Sequence, residues 1–254
     1  MTYKTNKKEN VYFAMKVVAT VLVLYGFVAF IKALSTAGSA LASSLILFGT
    51  YAVMIWLFIV FQKVFLVAYL KGDGVEVTER QFGAFHAEYA RMAGELGIKR
   101  LPKLFLVQRG GLLNAFAVRF SGKNYIAIFS DVFALLKDDP DAVRFVVAHE
   151  LGHVRRAHMQ KRFWTFPSSV VPFLTAAYSR ACEYTCDGVG MALSPEKPAN
   201  GLVLLAAGPA LYREVSIPEY VESARRNRSA VVRFAGLFMG HPYLPLRVEN
   251  LGER

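Results

Sequence analysis

Two long apolar stretches near the start of the chain constrain its fold more than any other feature. The first runs from about Val11 to Ala33, and the second, from about Leu41 to Leu70, carries no charged residue before Lys63. Each is long enough to cross a hydrocarbon core about 30 Å thick. Because a short uncharged link joins them, we expect a transmembrane hairpin rather than a cleaved signal peptide.

Basic residues set the expected orientation of this hairpin. They flank both ends of it and comprise Lys4, Lys7, Lys8, Lys63, Lys71 and Arg80. Since such residues favour the cytoplasmic side, both ends are predicted there. Lys16 and Lys32 are expected to snorkel at the ends of the first span. Residues 1–72 are therefore predicted to be a membrane anchor, and residues 73–254 a cytoplasmic domain.

The HELGH motif at residues 149–153 indicates the chemistry. Residues four apart share one face of a helix, so His149 and His153 can offer imidazole nitrogens to one metal ion. Glu150 lies roughly 100° round the helix, close enough to reach a water molecule at the metal. Zinc held by neutral imidazoles beside a carboxylate is typical of metallopeptidases.

The sequence around the motif predicts the helix that carries it. Pro140 stands between Asp139 and Asp141, which is a helix start signal. Apolar residues then recur at helical spacing, so a helix is expected from about Asp141 to His158. On that helix His158 would face away from the two motif histidines and would not be a ligand. The alternative is a surface helix that carries histidines without a metal.

A zinc site needs a third protein ligand. Glu183 and Asp187 are four apart and would share a helix face. One carboxylate can bind zinc while the other accepts the free ring N–H of a ligand histidine. The alternative is a solvated pair of carboxylates on a helix surface.

Two cysteines bracket Glu183 and allow a second metal-site hypothesis. Cys182 and Cys186 could join the motif histidines in a closed structural zinc site, which would leave Glu150 and Glu183 without roles. A cytoplasmic location argues against a structural disulfide. The favoured interpretation is that both are small buried residues beside the site.

Four short motifs together resemble the HtpX-type membrane zinc metallopeptidases, which are relatives of the type I CAAX prenyl proteases. In chain order these motifs are Asn114-Ala115-Phe116-Ala117, HELGH at residues 149–153, Ser179-Arg180 followed by Glu183 and Asp187, and His241-Pro242 followed by Arg247. The resemblance covers roughly residues 73–251 and the apolar N-terminal part.

The resemblance implies a fold and a set of roles. The fold would be α+β, with the transmembrane hairpin followed by a mainly helical, gluzincin-like zincin domain that contains a small sheet. His149, His153 and Glu183 would hold one Zn²⁺. Glu150 would be the general base and Asp187 would orient a ligand histidine. Two further catalytic candidates, for stabilising the oxyanion, are His241 and Arg247.

The region before the motif helix predicts the small sheet. We expect a helix within residues 77–96, strands at 104–107, 113–120 and 125–129, and a short helix capped by Ser130-Asp131 and ending at Leu136. An edge strand can pair with an extended substrate. By the resemblance, that edge is the strand that contains Asn114, Ala115, Phe116 and Ala117. The alternative interpretation is an ordinary core strand that makes no contact with substrate.

The apolar segment 163–178 contains Pro167 and Pro172 and is too short for the further membrane hairpin of the HtpX-type enzymes. It could be a broken span, a re-entrant segment or a lid at the bilayer surface. A full crossing would separate Glu183 from His149 across the membrane. We therefore predict that it does not cross completely.

The expected partners are protein or peptide substrates and the lipid bilayer. The net charge is +11, and the basic segment 225–228 could hold the domain against anionic headgroups. Nucleic acid is not an expected partner, because the basic residues form no recognisable binding module. The resemblance implies a multi-pass inner-membrane enzyme that cuts misfolded or damaged membrane proteins on the cytoplasmic side. The alternatives are maturation of one peptide or lipid-modified substrate, and a non-proteolytic membrane adaptor.

Overall fold

The computed structural model describes residues 2–35, 39–108 and 115–252, and it has the predicted α+β fold. The helices in chain order are α1 (Lys7–Ser35), α2 (Ser39–Gly72), α3 (Gly83–Glu95), α4 (Ser130–Phe133), α5 (Pro140–Arg155), α6 (His158–Trp164), α7 (Leu174–Leu193), α8 (Pro198–Leu211), α9 (Ile217–Arg226), α10 (Ala230–Phe238) and α11 (Leu244–Gly252). The strands are β1 (Val75–Glu76), β2 (Lys103–Val107), β3 (Ala115–Phe120) and β4 (Lys123–Phe129).

The two N-terminal helices confirm the predicted apolar pair. Residues 7–33 of α1 and 43–72 of α2 are long and apolar enough to cross a membrane. Large apolar side chains along both helices are exposed, among them Phe27 and Phe58. The predicted link falls partly on residues 36–38, which lie outside the described residues.

The first turns of α1 pack against protein instead of standing free. Glu9, Lys16 and Thr20 are buried. The Lys16 ammonium donates a hydrogen bond to the Thr175 hydroxyl at 2.8 Å. The expectation that Lys16 snorkels to the membrane surface is therefore wrong, because α7 and the 3₁₀ turn Phe166–Val170 cover this face of α1.

The sheet confirms the predicted strands and places β3 at an edge. The strand order is β1-β2-β4-β3; β2 and β4 are parallel, and β3 is antiparallel to β4. Successive side chains of β4 point to opposite faces of the sheet and pack in two separate hydrophobic cores. Ile126 and Ile128 pack with the helices of the domain, whereas Tyr125 and Phe129 pack with residues at the C-terminal end of α2.

Helix α3 (Gly83–Glu95) lies within residues 77–96, where a helix was predicted. It begins after Phe82, which is left-handed with φ of 63°, and the preceding residues 75–76 pair with β2 as β1. The short helix after β4 differs from the prediction. Ser130 lies inside α4 and makes no side-chain cap, and the rest of the segment is a 3₁₀ turn at Ala134–Lys137.

Helices α5, α7 and α8 form the core beneath the HELGH motif. Glycines allow their close approach: a Cβ added at Gly201 or Gly190 would come within 3.0 Å of the Phe145 ring. A Cβ at Gly152 would stand 3.2 Å from the sulfur of Cys186. This approach brings the acidic residues of α7 beside the histidines of α5.

Helix α5 begins at the predicted signal but ends earlier than predicted. Asp139 caps it by accepting a hydrogen bond from the Ala142 amide at 3.0 Å. The helix stops at Arg155, because Ala157 adopts a left-handed conformation with φ of 54°, and His158 starts α6. The break turns His158 back toward His153.

The apolar segment after α6 does not form a continuous spanning helix. Residues 163–173 lie wholly in the described part of the chain and comprise the end of α6, a 3₁₀ turn at Phe166–Val170 and the lead into α7. Pro167 and Pro172 interrupt any longer helix. Helices α5 and α7 pack directly against each other, as an incomplete crossing of this segment would require.

Candidate active site

A cavity of about 230 Å³ lies between α5, α7 and the edge strand β3. It brings together nearly all of the predicted site residues, namely Ala115, Phe116, Ala117, His149, Glu150, His153, Glu183, His241 and Arg247. Asp187 lies behind His149 instead of in the cavity wall. Asn114 falls outside the described residues.

Three side chains form a tight triangle at the floor of this cavity. The Nε2 atoms of His149 and His153 are 3.2 Å apart. Glu183 Oε2 lies 3.4 Å from His149 Nε2, and Glu183 Oε1 lies 3.5 Å from His153 Nε2. Both histidines therefore turn the same ring nitrogen toward one carboxylate.

The triangle has the dimensions that zinc requires. Zinc bonds of about 2.0–2.2 Å at tetrahedral angles separate ligand atoms by about 3.3–3.6 Å. The observed separations of 3.2–3.5 Å match this range. The donor set of two imidazoles and one carboxylate also suits zinc. Glu150 lies next to the triangle on the cavity wall, as a general base would.

His149 is oriented from behind by an acidic partner. Its Nδ1 lies 3.0 Å from Asp187 Oδ1, which leaves Nε2 to face the cavity. Burial alone would lower the pKa of His149, but the hydrogen bonds that its ring donates to the carboxylates of Asp187 and Glu183 outweigh it and raise the pKa to about 9. The carboxylate of Asp187 thus fixes the ring as predicted for a residue that orients a metal ligand.

Arg247 joins the carboxylates of α7. Its guanidinium donates to both oxygens of Asp187, at 2.9 and 2.6 Å, and lies 3.3 Å from Glu183. Burial opposes ionisation of Glu183, yet its hydrogen bonds to the histidines and the nearby Arg247 hold its pKa well below the usual value. Arg247 is almost fully buried, whereas the His241 side chain is 71% exposed and has Nδ1 at 3.1 Å from Glu183.

Two further residues stand behind His153 and were not predicted. His153 Nδ1 lies 2.9 Å from His158 Nδ1, and His158 Nε2 lies 3.2 Å from the Glu9 carboxylate. Burial is the main reason that the pKa of His158 is lowered to about 4. The helix pattern hid His158 because it assumed an unbroken helix. Nothing in the sequence links Glu9 to residues so far along the chain.

The two cysteines do not take equivalent places. The sulfur of Cys186 lies within 4.8 Å of ligand atoms of the motif histidines, whereas that of Cys182 lies within that distance of Glu9 and His158. Burial raises the pKa of the Cys182 thiol to about 12 and that of Cys186 well above its usual value. Because Cys182 lies with Glu9 and His158, the two thiols do not meet the motif histidines at one point as the closed site requires.

Arg162 also lines the cavity and was missed by the sequence analysis. It donates a hydrogen bond to the Ser179 hydroxyl at 3.1 Å. It adds a cation at the cavity wall opposite the acidic residues of α7. Its position depends on the break after α5, which no sequence signal announced.

Part of the chain that forms this site matches a known protein family. Residues 79–169 match the model of Peptidase family M48. The matched segment contains strands β2 to β4, α5 and the HELGH motif. M48 metallopeptidases are zinc-dependent, in keeping with the donor set described above. No curated protein matches the chain in a sequence search.

The whole fold is similar to that of Ste24p from S. mikatae, known from a crystal structure. The two are 14% identical, the TM-score is 0.50, and the match covers 98% of this chain and 67% of Ste24p. The comparisons therefore show a match to the M48 model over residues 79–169 and a fold similar to that of Ste24p, in a chain with two helices long and apolar enough to cross a membrane.

Proposed function

We propose that the protein is a membrane-anchored zinc endopeptidase that hydrolyses peptide bonds of misfolded or damaged membrane proteins on the cytoplasmic side. The observation that carries the proposal is the triangle of His149 Nε2, His153 Nε2 and the Glu183 carboxylate, with separations of 3.2–3.5 Å. Glu150 adjoins it in the same cavity.

Each residue of the site has a distinct role in this proposal. His149, His153 and Glu183 hold one zinc ion, which when bound supplies a Lewis acid for the scissile carbonyl and for a water molecule. The Glu150 carboxylate takes a proton from the attacking water and passes it to the leaving amine. His241 is the exposed candidate to stabilise the oxyanion.

Arg247 has a different role from the oxyanion partner that the sequence predicted. Its guanidinium is engaged by Asp187 and Glu183 and is almost fully buried. These contacts favour a positioning role, in which Arg247 holds both carboxylates of α7 against the histidines. Asp187 in turn fixes the ring of His149.

Strand β3 is the proposed substrate-binding edge. It is the last strand of the sheet, and Ala115, Phe116 and Ala117 line the cavity. An extended peptide that pairs with this edge would lie across the site through main-chain hydrogen bonds. Such binding depends little on side chains, which suits unfolded substrates of varied sequence.

The orientation and substrate class rest on the anchor. Basic residues at both ends of the hairpin favour a cytoplasmic catalytic domain. A domain held at the bilayer surface meets the exposed segments of membrane proteins that have failed to fold. The proposed location is the inner membrane, with the hairpin as a two-span anchor.

The decisive experiment compares wild type with Glu150→Gln in detergent. We expect the substitution to abolish cleavage of a loosely folded substrate by at least about 10²-fold, because the general base is lost, while zinc content stays near one ion per chain. Cleavage is followed by gel and mass spectrometry, and zinc by elemental analysis. Glu95→Gln on α3, outside the cavity, is the matched control and should retain full activity.

The outcomes separate the candidate functions. Equal cleavage by wild type and Glu150→Gln would contradict the proposal and indicate a contaminating protease. Zinc binding without cleavage of any substrate would favour the adaptor hypothesis. Cleavage confined to one peptide or lipid-modified substrate would favour the maturation hypothesis over quality control.

A further inference from the structure

An apolar surface beside α1 is formed by residues 163–173 and helix α10, and we call it the collar. In the first part Phe163, Trp164, Phe166 and Val170 are each at least 59% exposed. The Phe173 ring contacts the Phe238 ring of α10, with centroids 5.0 Å apart. The two parts therefore form one continuous surface.

Helix α10 presents its apolar side outward. It lies wholly in the described part of the chain and has no buried residue. Val231, Phe234 and Phe238 share one face by helical spacing, and each is at least 60% exposed. An apolar helix with this exposure must be covered by something other than its own domain.

Polar side chains help to hold α10 in this position: the Tyr243 hydroxyl donates to the Val232 carbonyl at 3.1 Å, and an arginine binds the C-terminal end of the helix. Arg180 of α7 donates hydrogen bonds to the carbonyls of Gly236, Leu237 and Met239 at 2.8–3.0 Å. A cation at these carbonyls satisfies the C-terminal end of the helix. The helix is thus pinned by its end, which leaves its aromatic face free to enter another medium.

The collar lies at the level where α1 becomes uniformly apolar. Lys16 of α1 bonds Thr175, which lies 3.4 Å from the hydroxyl of Ser169 in the 3₁₀ turn. After Lys16, α1 has no charged residue until Lys32. The collar is therefore continuous with the point at which the spanning helix would enter lipid.

We propose that the collar is inserted into the headgroup region of the same bilayer that α1 and α2 cross. Aromatic residues favour this interface, and exposed basic residues favour anionic lipid. Arg162, Arg228 and Arg233 are exposed at or beside the collar. By contrast, Arg225 and Arg226 of the predicted basic segment pair with Glu249 and Glu219 of the protein itself.

Tryptophan fluorescence tests the collar in the full-length protein. The chain has two tryptophans, so Trp56→Phe leaves Trp164 as the only reporter. The protein is placed in vesicles of phosphatidylcholine with a minority of phosphatidylglycerol, with bromine near the headgroup end or the methyl end of the acyl chains. We expect Trp164 to be quenched by the shallow bromines and protected from acrylamide in water.

A second reporter tests α10 separately. Phe234→Trp is placed in a chain that also carries Trp56→Phe and Trp164→Phe, and the same shallow quenching is expected. Trp164→Phe alone leaves Trp56 in α2 as the bilayer reference. Glu196→Trp serves as the reference for a tryptophan exposed to water. Residue 196 follows the C-terminal end of α7, about 30 Å from Leu174 at the end that adjoins the collar.

Two results would overturn the proposal. Free acrylamide quenching of Trp164 and of the α10 reporter, without bromine quenching, would mean that the collar faces water. Protection from both quenchers would mean that a protein, such as a second copy of this chain, covers it. Neither result depends on peptidase activity, so the proposed function is tested independently.

A separate observation links the membrane helix to the candidate metal centre. His153 Nδ1, His158 and the Glu9 carboxylate form a chain with separations of 2.9 and 3.2 Å. If His153 offers Nε2 to a metal, its Nδ1–H donates to His158 Nδ1, and the Nε2–H of His158 donates to Glu9. Every hydrogen bond in this chain then has one donor and one acceptor.

The surroundings of Glu9 argue against a second metal site there. Glu9, His158 and Cys182 are close enough to hold an ion. However, Arg156 and Lys161 already lie 2.8 and 3.6 Å from the same carboxylate oxygen. Two cations at one carboxylate would repel a metal ion, so Glu9 is better suited to receive a hydrogen bond.

We propose that Glu9 is a positioning residue for His153, acting through His158, and that docking of α1 thereby tunes zinc binding. This rests on the metal site of the proposed function, but its readout is zinc affinity and not cleavage. Carboxylates that orient a ligand histidine typically contribute about 10–100-fold in metal affinity. Glu9→Gln should therefore weaken zinc binding by about tenfold, measured by competition with a chromophoric chelator.

Three comparison variants separate positioning from simple packing. Lys16→Gln, on the same buried face of α1, should leave zinc affinity unchanged. Glu9→Asp, which keeps the charge, should recover part of the loss. His158→Phe should weaken binding at least as much as Glu9→Gln, and the double variant should be no weaker than His158→Phe alone.

The opposite pattern would overturn this second proposal. Equal zinc affinity in wild type and Glu9→Gln would show that the chain of hydrogen bonds does not act on the metal. An equal loss in Lys16→Gln would show that Glu9 matters only for packing of α1. If none of these chains, wild type included, binds zinc, the proposed function itself fails.

Discussion

At the scale of single residues, the site depends on one arginine as much as on the metal ligands. Arg247 spans both oxygens of Asp187 and also reaches Glu183, at 2.6–3.3 Å. A planar guanidinium can make these contacts together, whereas an ammonium acts as a single point of charge. The fork therefore fixes two carboxylates of α7 at once.

Replacing this fork tests the positioning role. Arg247→Lys keeps the charge but loses the bidentate contact, and we expect zinc affinity to fall by about tenfold or more. Competition with a chelator measures the change. Arg225→Lys is the matched control. Arg225 lies on α9 and forms an exposed pair with Glu249, which is on α11 as Arg247 is. Unchanged affinity for Arg247→Lys would show that Asp187 and Glu183 hold their places without it.

Single residues also set the limit of what the sequence could predict at the site. Spacing placed His149 with His153 and Glu183 with Asp187 on shared helix faces, and the resemblance to a known family then chose Glu183 as the third ligand. His158 could not be placed, because its position depends on the left-handed Ala157 that ends α5. Non-glycine residues rarely adopt that conformation, and no local signal marks it.

At the scale of secondary-structure elements, the position of α5 depends on Asp139, the residue that caps its N-terminus. The Asp139 carboxylate accepts hydrogen bonds from the Ala142 amide, the Asn200 amide and the Tyr212 hydroxyl, at 3.0–3.1 Å. One acidic side chain thus caps the motif helix and ties it to α8 and the 3₁₀ turn after it. Burial opposes ionisation, but these hydrogen bonds and Arg213 hold the pKa of Asp139 below its usual value.

Asp139→Asn should lower the free energy of unfolding by about 1–3 kcal/mol at neutral pH. The NH2 group of the new amide would face groups that donate hydrogen bonds to the carboxylate in the wild type. A lowered pKa in the folded state means that this stabilisation is present above the unfolded value and is lost as the pH falls through the folded one. The unfolding midpoints of wild type and variant should therefore differ from pH 5 upward and converge below about pH 3.8. A constant gap across this range would contradict the assignment.

The packing of α5 against α8 makes a second prediction at this scale. A Cβ at Gly201 would lie 2.4 Å from the ring of Phe145, which is fully buried. Gly201→Ala should therefore destabilise the protein by about 1–3 kcal/mol, despite the better helix propensity of alanine. Adding Phe145→Leu should recover part of the loss. Gly94→Ala on α3, where no atom stands within 4 Å, is the control and should be neutral or stabilising.

The elements that the sequence predicted well carry their own periodic signal. Both apolar helices, β2 to β4 and α5 fall within a few residues of their predicted places. Strand β1 was not predicted, and the reason is tertiary: residues 75–76 pair with β2. Strand pairing depends on residues far along the chain, so local pattern cannot reveal it.

At the scale of the whole molecule, the membrane anchor and the catalytic part are not independent. The predicted boundary at residue 72 separates α1 from α7, yet α1 buries Glu9 and Lys16 against that part of the fold. Phe13 lies near Tyr178, with ring centroids 6.0 Å apart. Helix α1 is therefore an integral part of the domain that holds the site as well as a candidate span.

Removal of α1 should consequently do more than remove one span of the proposed anchor. A chain lacking residues 1–35 would uncover His158, Tyr178 and Cys182, which are buried in the intact fold. It would also replace the carboxylate of Glu9 by water at Arg156 and His158, so both contacts would be lost. We expect a lower unfolding midpoint in detergent and a weaker zinc affinity than in the full chain. A peptide of residues 2–35 supplied separately should restore both. If the shortened chain unfolds at the same temperature and binds zinc equally well, α1 is only an anchor, and the coupling between membrane helix and metal centre does not exist.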